Sequence, residues 1–136
     1  MQHLRSSFQR ARQDGFSERF YELLLERDVA IRKKFEGTDF ALQNEKLIHG
    51  VLAAIALGEG KETGKLAFKR LRESHGRGGL GVTMAMYRTW LHVFLETLEE
   101  IDTEFSAGLA ADWQALFDEV FESLSDEAGE ARGAIV

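Results

Sequence analysis

The chain has 136 residues, enough for one domain with a real core, and carries a formal net charge of −6 with a pI near 5.2. It has no cysteine, which excludes a disulfide scaffold, a thiolate metal site and a thiol nucleophile. There is no basic stripe, so nucleic acid is not an expected partner, and the apolar stretch Val51–Leu57 is far too short to cross a bilayer. The basic N-terminus MQHLRSSFQRAR is followed by no apolar run, so no signal peptide is read and a cytoplasmic location is expected.

With no proline and 29% charged residues, the composition favours helix. A first helix is expected over about 2–13, with weak periodicity, broken by Asp14 and Gly15. A second follows, with Ser17 as its N-cap and Phe16, Phe20, Tyr21, Leu23 and Leu24 on its apolar side. The segment Asp28–Lys34 makes a short helix leading to Phe35. The loop EGTD then offers Thr38 or Asp39 as the cap of a long helix running to about Leu57. On that helix Phe40, Gln43, Leu47, Val51 and Ala54 share one face, and Gln43 is its polar interruption.

After the linker GEGKETG, a helix over about 64–75 puts Phe68, Leu71 and His75 on a common face and ends in HGRGGLG. The next, about 82–100, turns Met86, Tyr87, Leu91, Phe94, Leu98 and Ile101 inward. It leaves Arg88, His92, Glu96 and Glu99 outside. Thr103 is the expected cap of a last helix over about 104–124, with Leu109, Trp113, Leu116, Val120, Phe121 and Leu124 as its stripe. The tail 126–136 reads as frayed. There is no internal repeat and no strand-length alternation. The expectation is a single all-α domain over 1–136 with six or seven helices.

Other chemistry finds little support. Glu73, Ser74 and His75 are consecutive, and helix neighbours do not face one another. HGRGG follows a helix, where a phosphate loop would follow a strand. His3, His49 and His92 have no metal-site spacing, and His49 points about 200° away from Leu47.

An ordered series remains. It comprises Tyr21, Phe35, TDFALQNEKL with Gln43 and Leu47, LRESH ending in His75, GVTMAMYRTW with Tyr87, and AADW with Trp113. In this the chain resembles the single-domain bacterial globins and the globin portion of flavohaemoglobins, from about Phe16 to Leu124. It departs from them in lacking prolines near Val29 and Thr83, and in a longer loop after His75.

The resemblance implies a globin-like fold around one haem b (iron protoporphyrin IX). His75 would be the iron ligand, its second nitrogen donating to the Leu71 carbonyl. It places Phe35, Gln43, Leu47, Phe68, Leu71, Val82 and Tyr87 against the haem, with weaker candidates in Met86, Leu91 and Phe94. Lys46 or Arg72 could pair with a propionate, although a solvated charge is the stronger reading for either. It sets Tyr21 and Gln43 toward a bound gas, oxygen or another diatomic molecule, at a five-coordinate iron. Two other functions stay open under the same resemblance: a haem-based gas sensor, and a nitric-oxide dioxygenase served by a separate reductase. A haem-free globin-like interaction domain is a third class, which His75, Tyr21 and Gln43 argue against. The sequence leaves a homodimer open.

Overall fold

A computed structural model describes residues 1–62, 64–66, 69–70 and 84–132, with side chains described through Phe121. Six helices are numbered here: α1 (Gln2–Gln13), α2 (Phe16–Arg27), α3 (Val29–Lys34), α4 (Phe40–Gly58), α5 (Met84–Ile101) and α6 (Ala107–Arg132). Residues 64–66 and 69–70 are also helical, and no strand occurs among the described residues. No helix among them is long and apolar enough to cross a membrane.

The joints follow from local chemistry, and two differ from expectation. Gly15, at φ 80°, turns the chain between α1 and α2 in a conformation that favours glycine. Helix α2 starts so close behind it that Ser17 lies inside the first turn, buried, and does not cap. The Asp28 side chain accepts from the backbone N–H groups of Ala30 (2.9 Å) and Ile31 (3.3 Å), starting α3. Asp39, and not Thr38, does the same for α4 through Ala41 (3.0 Å) and Leu42 (3.4 Å). Thr103 lies in the turn before α6. The cap there is Ser106, whose Oγ accepts from Leu109 N–H at 3.1 Å. Helix α6 continues to Arg132, beyond the end expected near 124.

Helix α5 packs on α2 and α6, α1 touches α2, α5 and α6, and α4 packs on α2, α6 and α1. The centre is aromatic. Phe94 meets Phe16 at 5.3 Å, Trp113 at 5.1 Å and Phe117 at 5.1 Å between ring centroids, all edge-on, and stacks on Trp90 at 5.1 Å. Edge-to-face rings place positive edges on negative faces, which adds to the area they bury. Helix α1, weakly periodic in sequence, buries Leu4, Ser7, Phe8 and Ala11 on one stripe.

Ser7 is polar on that stripe because it has a buried partner. Its hydroxyl donates to Asp102 Oδ2 at 2.7 Å, and the Trp113 indole N–H donates to it at 3.4 Å. Arg10 donates twice to the same carboxylate, at 2.6 and 3.0 Å, and the Glu104 N–H adds a third donor group at 3.0 Å. Burial alone would raise the Asp102 pKa. The hydrogen bonds from Arg10, Ser7 and the Glu104 backbone outweigh it and hold the carboxyl below its usual range.

Candidate functional site

The apolar side of α2 carries Phe16, Phe20 and Leu24, and Tyr21 stands beside them, buried. The Asp28 cap starts α3, a six-residue helix that Phe35 closes as its C-cap. This brings the Phe35 ring to 5.6 Å from that of Tyr21. Gly37, at φ 75°, turns the loop into α4. The first turn of α4 then places Phe40 5.5 Å from Tyr21 and 6.2 Å from Phe35, and the three rings form one wall.

One turn further on, Gln43 Nε2 donates to the Tyr21 hydroxyl oxygen at 3.2 Å. Leu47, the next residue on that face, is buried. The direction of the Gln43 bond matters. With its oxygen accepting from Gln43, Tyr21 keeps its own proton to donate, and among the described residues it donates no hydrogen bond. Burial pushes the Tyr21 pKa above its ordinary value, and the Gln43 bond offsets this only partly. Tyr21 is therefore a neutral donor at physiological pH.

Tyr21, Phe35, Gln43 and Leu47 are thus brought together by α2, α3 and α4. Tyr87 sits instead between α5 and α6, buried and stacked on Phe121 at 4.7 Å, with its pKa pushed up to about 12 by burial. Phe94 and Leu91 are core residues of α5 and Met86 is half-buried. Phe68, Leu71, Arg72, His75 and Val82 lie outside the described residues. Lys46 is exposed, as are His49 and His92. His3 is also exposed and pairs with Asp112 at 2.7 Å.

Two residues of this region have no site role in the sequence reading. Phe40 is placed there only on the helix face, yet its ring completes the wall over Tyr21. Asn44 goes unremarked, although it stands three positions before Leu47 and seven before Val51, the same arithmetic that marks a buried face.

A short-helix joint thus sets the Tyr21–Gln43 pair against an aromatic wall of Phe35 and Phe40. The globin family model matches residues 18–124, and the chain belongs to that family, whose members generally bind haem. A solved structure from Pseudomonas aeruginosa PAO1, of a protein described as structurally highly homologous to a human hemoglobin, has the same fold. It superimposes with a TM-score of 0.82 at 25% identity, over 89% of this chain and 92% of that one. Among curated protein sequences no match is found.

The described residues fit such a group. Helix α4 packs on α2 and α6 but shares no extensive packing with α5 among the described residues. Near its start lie the buried Leu47, the Phe35 and Phe40 rings, and the Tyr21–Gln43 pair. Flat macrocycles ask for apolar walls of this kind, with few and specific polar contacts.

Proposed function

We propose that this chain is a haem-binding globin that reversibly binds oxygen, or another diatomic gas, at a five-coordinate haem b iron held by His75. Tyr21 and Gln43 line the gas side. The observation that carries this reading is the bond from Gln43 Nε2 to the Tyr21 hydroxyl, because it leaves the tyrosine proton unspent in an otherwise apolar wall. Haem supplies the iron and its affinity for a diatomic ligand.

The chain supplies the rest. Gln43 holds the Tyr21 hydroxyl oxygen, which leaves the tyrosine proton for another acceptor. Phe35, Phe40 and Leu47 keep bulk water away, which strengthens any hydrogen bond made there. On the other side, His75, with Leu71 orienting it and Phe68, Val82 and Tyr87 as apolar neighbours of the haem, completes the set that the resemblance implies. A donor pair favours oxygen over carbon monoxide, because oxygen draws more negative charge onto itself.

Dissociation rates measured by rapid mixing test this. Tyr21→Phe and Gln43→Leu should each release oxygen faster, Tyr21→Phe by about 10- to 100-fold, with carbon monoxide release changing much less. Equal effects on both gases, or none on either, would remove the pair from the gas side.

A further inference from the structure

A surface helix normally turns its apolar residues to the core and its charged ones to water. Helix α4 departs from this in its second half, where no charged residue occurs from Gly50 to Gly58. The buried line Leu47, Val51 and Ala54 accounts for one side. On the other side, about 180° away, His49, Leu52, Ala53 and Ala56 recur at i, i+3, i+4 and i+7. None of these four is buried. Together with Arg5 of α1 and Lys61 they line an open groove of about 430 Å³, a size in the range of small-molecule sites.

One end of the groove is cationic. Arg5 Nη2 donates to Glu59 Oε1 at 2.7 Å, and Lys61 Nζ stands 3.1 Å from the same oxygen. The shared carboxylate holds the two cations side by side and leaves one positive charge in excess. Their hydrogen bonds, that of Arg5 foremost, hold the Glu59 carboxyl below its usual range, so this end favours a carboxylate. A guanidinium has five N–H donors and an ammonium three, so each cation has donors left for a second anion.

We propose that this groove is a second ligand site, which takes an aliphatic carboxylate of short to medium chain length. The carboxylate meets Arg5 and Lys61, and the chain lies along Ala56, Ala53 and Leu52 toward His49. The two alanines leave the room that a methylene chain fills. The groove is on the side of α4 opposite Leu47, so the inference does not rest on the function proposed above.

Octanoate, titrated into the purified full chain by calorimetry, is the probe. One octanoate per chain is expected. Acetate, which lacks the chain, and octylammonium, which reverses the charge, should each bind at least about tenfold more weakly. Ala53→Phe fills the floor and should weaken octanoate at least about tenfold. Lys61→Met removes one cation from the exposed rim and should weaken it at least about threefold. Should Ala53→Phe fail to fold, Lys61→Met decides alone. Octanoate binding no tighter than that of acetate or octylammonium, or undiminished in the folded variants, overturns the proposal.

Discussion

Tyr21 shows how much a single hydroxyl can be asked to do. Burial raises its pKa above the ordinary 10, so it remains protonated throughout the physiological range. Oxygen release from the parent protein should therefore be flat between about pH 6 and 9, which stopped-flow measurements across that range would check. Tyr87 gives an alkaline counterpart with a clear sign. Its folded pKa, about 12, lies above the unfolded value near 10, so its contribution is fully present below pH 10 and is lost as pH rises toward 12. Denaturant melts at pH 9 and 11.5 should show this loss, and Tyr87→Phe should make it smaller. In the sequence Gln43 was legible as the polar interruption of an apolar face, and the family resemblance supplied its pairing with Tyr21. Asn44 was hidden by its neighbour. Next to a glutamine, an asparagine reads as the solvated edge of the helix, and only the three-dimensional burial of its oxygen marks it out.

Among the elements, α1 is the one the sequence undersold. Ser7 interrupts its apolar stripe, and what makes Ser7 belong inside is Asp102, a residue far along the chain in a turn after α5. No local pattern reveals such a pairing. The caps were partly legible for the same reason in reverse. Asp28 and Asp39 act within three residues, while Ser17 and Thr103 had plausible side chains at positions the tertiary packing had already assigned otherwise. The Asp102 cluster should be worth more than the exposed pairs Arg19–Glu100 and Arg27–Glu96, which link α2 to α5 in solvent, where water and salt screen them. Asp102→Ala strips acceptors from Ser7, Arg10 and the Glu104 N–H together and should cost about 2–4 kcal/mol in a urea melt. The pH dependence follows from the lowered pKa. Stability from Asp102 is present above its ordinary value of 3.8 and is lost as pH falls through the lower folded value. Melts between pH 5 and 2 should therefore steepen in the parent relative to Asp102→Asn.

At the scale of the molecule, the Tyr21 region and the aromatic centre are continuous, since Tyr21 meets Phe20 at 5.1 Å and Phe20 meets Phe94 at 6.4 Å. Phe94 sits at the centre of the aromatic cluster, fully buried, and Phe94→Ala should cost about 3–5 kcal/mol in equilibrium unfolding. The all-helical architecture was legible because apolar periodicity, caps and glycine breaks agreed from one segment to the next, and agreement across levels is what specifies a fold. The membership in the globin family and the shared fold with the Pseudomonas aeruginosa protein bear on the whole arrangement. The proposed chemistry rests on His75. The most direct measurement is the absorption spectrum of the purified ferrous protein after haem addition, beside that of His75→Ala. The expected result is one haem per chain with an intense band at the blue edge of the visible, shifted by carbon monoxide, and loss of that coordinated spectrum in the variant. A parent protein that takes up no haem, or a His75→Ala protein with an unchanged spectrum, would contradict it.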